Sequence, residues 1–370
     1  MLTLIIPGLI WPYQALLDLT SGLTPSPKPR PQNTPSLPSI LPAFSTLLGR
    51  GKLTHLPPAT VHQAVAHRLG LPTPLPAAAL RELALHAAHA VNTPATNTSH
   101  VPGSMLCLDP VHLSIEQTRL RVDDPQHLAL SMAEAETIAV SLAPTFSTLG
   151  TLTVLTPNAW NLHLHAHTPA LNFPLAPPLP ESIARAAPPL SATSAAASWR
   201  QAINEANMIL HTHPVNLSRS GQGKPTVNSL WPWGAGALPT GLNTCKHLSV
   251  DRIHSHDLVI QGAARSQNIA YTPSLSIAEL KPKEHALYIL DALDLPARTG
   301  DTYTWRAALL QLEKDWFVPL LQALHAGHIS QIQLIAPGDE ASITLSIKRY
   351  QLWQFWRKPA PMTVLATPTH

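Results

Sequence analysis

Four short segments set the limits of what this chain can fold into: "LTLII" (2–6), "SMLCLD" (104–109), "HALYILDALD" (285–294) and "ISQIQLIAPGDE" (329–340). A strand with water on one face alternates apolar and polar residues, whereas a strand covered on both faces is apolar nearly throughout. The runs at the heart of these segments are of the second kind. Helical patterns lie between them, alanine-rich at 59–69 and 77–91. A helix over 131–146 opens with Ser131 and Glu134 at capping-box spacing. Another over 306–325 carries Leu309, Leu312, Trp316, Leu320 and Leu324 on one face. Residues 151–156 and 161–167 alternate like half-exposed strands. Strands alternating with helices predict an α/β fold around a mainly parallel central sheet.

Prolines punctuate this order. The chain has 39 of them, clustered at 24–42, 71–76 and 173–190, where the spacing predicts extended loops or linkers. The 370 residues suffice for one large domain or two. Lys and Arg number 24 against 21 acidic residues, with no basic run, which argues against nucleic acid as a partner. Cys107 and Cys245 lie far apart without C-x-x-C spacing, which gives a zinc or redox pair no support, and two thiols suit a reducing compartment. The apolar opening lacks a basic flank and a cleavage site, so it reads as a buried first strand. No segment is long enough to span a bilayer. These features lead us to expect a cytoplasmic protein without a membrane partner.

In open parallel sheets, ligands bind beyond the carboxyl ends of the strands. Three strands end in comparable places: at Pro7–Gly8, at Asp291 and Asp294, and at Asp339 and Glu340. Converging ends would gather carboxylates where a metal or phosphate would sit.

A second stretch, "HTHPVNLSRSGQGKPTVNSLWPWGAG" (211–236), sets Trp231 and Trp233 directly against Gly234 and Gly236. The ordered set His213, Pro214, Val215, Asn216, Arg219, Gly223, Pro225, Asn228, Trp231, Trp233, Gly234 and Gly236 resembles a segment of the archaeal-type cofactor-independent phosphoglycerate mutases, a branch of the alkaline phosphatase superfamily. Residues 41–53, 119–142 and 291–321 extend that resemblance. With "DPVHL" (109–113), the chain also resembles a bacterial group, the RpfE-type regulatory proteins. The resemblance implies a main α/β domain over 1–104 and 211–370 and an inserted α/β subdomain over 105–210 that caps it. It further implies a ligand loop of His213, Asn216, Arg219, Asn228, Trp231 and Trp233, with Asp109 and His112 beside it.

Enzymes of that superfamily activate a serine or threonine between two divalent metals, held by several Asp and His ligands. Here the Asp-Gly ending the first strand is replaced by Pro7–Gly8. The nucleophile's counterpart is "PPAT" (57–60), where Thr60 offers the only hydroxyl. The Asp that pairs with a Gly-His is kept as Asp294, but the histidine position holds Arg298, and the strand-end Asp-His reads Asp339–Glu340. The closing histidine is absent from "IKRYQLWQFWRKPAP". Asp291, Asp294, Arg298, Asp339 and Glu340 thus form a relic metal or phosphate site, with a permanent cation where a neutral ligand belongs.

Simpler roles compete with functional ones. The indoles are suited to packing over glycines. His163, His165 and His167 line one side of a strand with no acidic partner in the neighbouring sequence, as a solvated face does. His211, and His86 with His89, read as ordinary helix or loop positions, and "DPVH" as a proline-stiffened turn. No nucleophile elbow or glycine-rich phosphate loop is present.

The expectation is a catalytically degenerate phosphoglycerate-mutase-like protein with a regulatory role. It would hold a phosphorylated small metabolite and a protein partner of unknown kind, with no resident metal or other cofactor. The alternative is a divergent metal-dependent mutase or phosphatase using Mn, Mg or Zn, with a site rebuilt from Asp291, Asp294, Asp339, Glu340 and histidines elsewhere. A DNA-binding regulator does not fit the charge pattern.

Overall fold

The computed structural model describes residues 1–11, 41–89, 104–116, 119–168, 173, 177, 194–238, 250–274, 276–277 and 284–365. Along the chain run β1 (Leu2–Ile5), α1 (Pro42–Arg50), β2 (Lys52–Leu56), α2 (Val61–Leu69), α3 (Ala77–His89), β3 (Met105–Val111), β4 (Leu113–Glu116) and β5 (Arg119–Val122). Then follow α4 (Met132–Phe146), β6 (Gly150–Thr156), β7 (Ala159–Leu164), α5 (Ser194–Thr212), α6 (Pro214–Gly221) and β8 (Ser229–Gly236). Last come β9 (Arg252–His254), α7 (Leu258–Ser266), β10 (Ala270–Thr272), β11 (Ala286–Ile289), α8 (Asp294–Thr299), α9 (Thr302–Leu312), α10 (Val318–Ala326), β12 (Gln331–Ala336) and β13 (Ser342–Lys348).

The chain divides into two compact units. The first comprises Met1–Leu69, His247–His256 and Ile269–His370. Its sheet has seven strands among the described residues, in the order β10-β9-β11-β1-β12-β13-β2. The five strands from β10 to β12 run parallel, while β13 and β2 join antiparallel. The mainly parallel sheet read from the sequence is present. Strand β1 lies at its middle, Leu2 opposite Ala286 and Ile332, and Ile5 opposite Ile289 and Ile335. All four of its residues are buried, Thr3 included, which is why the strand carries no charged or exposed position. β2 closes one edge and is mostly exposed.

Helix packing completes this core. Leu309, Leu312, Trp316, Leu320 and Leu324 are all buried, as the stripe predicted. The helix carrying them is not continuous, because α9 passes into a π-helical turn, Glu313–Phe317, before α10. Pro319 follows that turn; a proline lacks the N–H and crowds the carbonyl four residues earlier, a strain that wider turns relieve. Within the turn Glu313 is buried, and its carboxylate accepts from Ala43 N at 2.6 Å and Phe44 N at 3.1 Å. It thereby satisfies the open first turn of α1. Burial pushes its pKa up, against those two bonds.

The second unit comprises Gly70–Lys246 and Asp257–Asn268. It holds an antiparallel sheet in the order β6-β7-β3-β8 and the pair β4-β5. One face buries Leu106, Leu108, Trp160, Leu162 and Leu230 with Ile138 and Phe146 of α4 and Trp199 of α5. The capping box at Ser131 and Glu134 forms as its sequence predicts. Helix α3 packs against β3 and β8 and also against α7, where a Cβ on Gly262 would run into Leu80 O.

The unit boundaries differ from those the sequence suggested. Residues 211–236, expected in the main domain, contribute no strand to the seven-stranded sheet. The Trp-Gly stretch is strand β8, paired with β3 from Val111↔Ser229 to Cys107↔Trp233, and this pairing binds it to the second unit. Helix α3 belongs there too.

Candidate functional site

In the first unit, the parallel neighbours β11, β1 and β12 bring their carboxyl ends side by side. Past β1 the chain turns at Gly8, whose φ of +72° is left-handed. A Cβ there would run into Leu293 O and come within 2.8 Å of Asp294 Cα, so only glycine fits. Gly8 O accepts from Trp305 Nε1 at 2.7 Å. The close approach seats the start of α8 against the end of β1.

Arg298, one turn into α8, donates from Nε to Asp294 Oδ1 at 3.0 Å. Its Nη1 lies 3.7 Å from Asp339 Oδ2, past the end of β12. The structure therefore joins Asp294, Arg298 and Asp339 of the relic set. Asp291 and Glu340 are both exposed, and Asp291 O accepts from Asp294 N at 2.9 Å. Thr60 lies next to Ala59, which forms a backbone bridge with Gly338, the residue before Asp339. Thr60 and Gln63 form a reciprocal cap at the start of α2: Gln63 N donates to Thr60 Oγ1 at 3.2 Å, and Thr60 N to Gln63 Oε1 at 2.8 Å.

These donors do not suit a two-metal centre. Arg298 lies between the two carboxylates that would have to bind cations, and a guanidinium has no lone pair to give a metal. Among the described residues no group of three His, Cys, Asp or Glu side chains stands close enough to hold a metal ion. Arg298 is one-fifth exposed and keeps N–H groups beyond those its carboxylates use.

In the second unit the Trp-Gly strand has a different character. Asp109 is 2% exposed, and its carboxylate accepts from Arg81 Nη1 at 2.8 and 3.0 Å, Trp160 N at 3.0 Å and Trp233 Nε1 at 2.7 Å. Arg81 stacks over Trp233 at 4.6 Å. Burial opposes the charge on Arg81, but Asp109 outweighs it and raises the guanidinium pKa. Beside them, burial pushes the Cys107 thiol up, so it stays protonated. Gly234, at φ +60°, and Gly236 let α3 come close: added Cβ atoms would lie 2.6 Å from Ala77 Cβ and 2.8 Å from Pro76 Cβ. The large indoles thus border glycines because a buried ion pair and a helix start meet the same strand. The Trp231 Nε1, also buried, has no partner among the described residues.

The remaining residues of the expected ligand loop tie the chain to itself. His213 caps α6, accepting from Val215 N at 3.3 Å, while its Nε2 meets Ser141 Oγ at 3.0 Å. Burial lowers its pKa. Asn216 donates to Leu210 O and Val227 O at 2.7 and 2.6 Å and accepts from Val227 N at 2.9 Å. Arg219, 1% exposed, donates to Pro225 O, Glu134 Oε1 and Leu128 O. Asn228 exchanges two bonds with the Leu113 backbone, and His112 Nδ1 lies 2.7 Å from Thr226 O.

His163 has an acidic neighbour that sequence spacing did not show, Glu82 of α3 at 2.6 Å. That hydrogen bond raises the His163 pKa, against the effect of burial. His165 and His167 stack at 5.6 Å. Arg81 and Glu82 went unread because they sit as one charged pair in an alanine-rich helix. The readable signal was that pair's position amid residues that all look buried. Cys245 and the side chains of His86 and His89 lie outside the described residues.

No family model matches the sequence, and no curated protein matches it. Solved structures resemble it, among them the following two. The PH0037 protein from Pyrococcus horikoshii superposes with a TM-score of 0.50 at 16% identity, over 94% of this chain and 87% of its own. A cofactor-independent phosphoglycerate mutase from Thermoplasma acidophilum DSM 1728 gives a TM-score of 0.43 at 14% identity, over 100% of this chain and 95% of that one. At such identities the likeness to the Pyrococcus protein is one of fold alone.

Proposed function

We propose that this chain is a non-catalytic relative of the phosphoglycerate mutases that holds a phosphorylated small metabolite and serves a regulatory role. The observation that carries the reading is Arg298, 3.0 Å from Asp294 and 3.7 Å from Asp339 beyond the carboxyl ends of β11 and β12. A fixed cation there competes with metals for both carboxylates, and the N–H groups those carboxylates do not use are what a phosphate would meet. The Thr60 hydroxyl, meanwhile, accepts from the first turn of α2.

The test is an assay of 2- and 3-phosphoglycerate interconversion with and without Mn, with bound metal quantified in the same sample. Thermal shift with phosphoglycerates is then compared between the wild-type protein and Arg298→Gln. No turnover, no stoichiometric metal and a stabilisation that Arg298→Gln abolishes are the expected results. Metal-dependent turnover overturns the non-catalytic reading, and an unchanged shift in Arg298→Gln overturns the ligand assignment.

The second reading, a divergent metal-dependent mutase or phosphatase, draws on the Ala59–Gly338 bridge, which sets Thr60 near the end of β12. It needs histidines beside Asp294 and Asp339.

A further inference from the structure

The segment after β13 breaks the usual rule for a protein surface. Tyr350, Trp353, Phe355 and Trp356 are 62%, 73%, 82% and 67% exposed. Lys348, Arg349, Arg357 and Lys358 are exposed beside them. Residues 341–370 contain no Asp or Glu. The segment is firmly held, since Leu352 is buried and Arg50 Nη1 donates to its carbonyl at 2.8 Å. Arg357 Nη1 donates to Arg50 O at 3.0 Å and Ala360 N to Ser45 O at 2.9 Å. Phe355 and Trp356 meet edge to face at 5.3 Å. A cleft of about 520 Å³ adjoins the segment, lined by Leu48, Leu53, Ala360 and Val364 together with Lys52 and Arg357.

We propose that this face docks on an anionic phospholipid surface. Monomers rarely leave large apolar side chains exposed in a group without a use for them. Tryptophan and tyrosine favour the headgroup level of a bilayer, and nearby Lys and Arg are drawn to anionic lipid. The cleft pairs aliphatic walls with two cations, as a phospholipid pairs acyl chain with phosphate. Single-stranded nucleic acid wants stacking planes and gains nothing from aliphatic walls. A second copy would set cations against cations. Docking is peripheral, since no helix among the described residues is long and apolar enough to cross a membrane.

The full chain is co-sedimented with vesicles of phosphatidylglycerol mixed into phosphatidylcholine, and with phosphatidylcholine alone, at low and high salt. Binding is expected to the anionic vesicles and to weaken with salt. The double substitution Trp353→Ala, Trp356→Ala should weaken it at least about tenfold, from the apolar area withdrawn. Lys348→Gln and Lys358→Gln should each weaken it about fivefold. All these side chains are exposed, so an unchanged melting temperature certifies the variants. Failure to sediment with anionic vesicles at low salt overturns the proposal, as does equal binding to neutral vesicles or undiminished binding by the tryptophan variant. So does loss of these contacts into a dimer, read by light scattering, or tighter binding to a single-stranded oligonucleotide than to the vesicles.

Discussion

Trp233 and Asp109, 124 residues apart in the chain, meet through a 2.7 Å hydrogen bond from Nε1 to Oδ2 in the interior of the second unit. Around it Asp109 also carries Arg81 and the Trp160 amide. Removing one partner of a buried pair leaves the other charge uncompensated, at a cost of about 3–5 kcal/mol. Asp109→Ala should reach that range. Trp233→Phe keeps most of the ring and loses one bond to a charged group, about 1.5–3 kcal/mol. Urea denaturation measures both, and a larger loss for Trp233→Phe than for Asp109→Ala would remove Asp109 from the centre of this network.

His163 and Glu82 give the second unit a pH dependence of known sign. The His163 pKa is raised in the folded state by the Glu82 hydrogen bond. The folded chain therefore binds its proton more tightly than the unfolded chain does. The stabilisation is fully present below the unfolded histidine pKa of about 6.5 and fades as pH rises through the higher folded value. The wild-type protein should lose stability relative to His163→Gln across that window in denaturation series at stepped pH. A difference that grows with pH would mean that burial, not Glu82, governs this histidine.

Gly8 and Gly300 form a matched pair. Both have φ of +72°, but a Cβ at Gly300 meets nothing within 4 Å, whereas at Gly8 it strikes the Leu293–Asp294 backbone. Gly300→Ala should cost about 1–2 kcal/mol for the left-handed conformation alone. Gly8→Ala should cost clearly more and should disturb Arg298 as well. Equal losses in chemical denaturation would show that the β1–α8 approach tolerates a methyl group.

Glu313 caps the first turn of α1 from the π-helical turn. Glu313→Ala leaves Ala43 N and Phe44 N without their acceptor, at about 1–3 kcal/mol each at most. Glu313→Gln keeps an acceptor and should cost less. Thermal unfolding that ranks the two substitutions the other way would show that burying a polar head there costs more than the cap returns.

Local features were legible in the sequence because their physics is local. β1 and β11 read as buried strands from apolar runs that need both faces covered, and the Ser131–Glu134 cap is a four-residue motif. The stripe from Leu309 to Leu324 was legible as a buried face. Its π-helical turn was not, since Pro319 breaks the register without breaking the stripe. What joins distant segments stayed hidden. No spacing rule links Glu82 to His163, Arg81 to Asp109, or Arg298 to Asp339; each pairing exists only once the sheets are assembled. The destination of residues 229–236 was misread for the same reason, as a strand's partner is chosen by the whole sheet.

The exposed strand β2 closes one side of the seven-stranded sheet, and its outer flank, unpaired among the described residues, is a template on which another chain could lengthen the ladder into a fibre. Two features oppose this. Lys52 puts a charge at one end, and Pro57 and Pro58, which bring no N–H, follow Leu56 at the other. Any incoming strand would find a register only five residues long, too short to grow from. Replacing the two prolines would therefore endanger this protein less through its folded stability than through its tendency to polymerise.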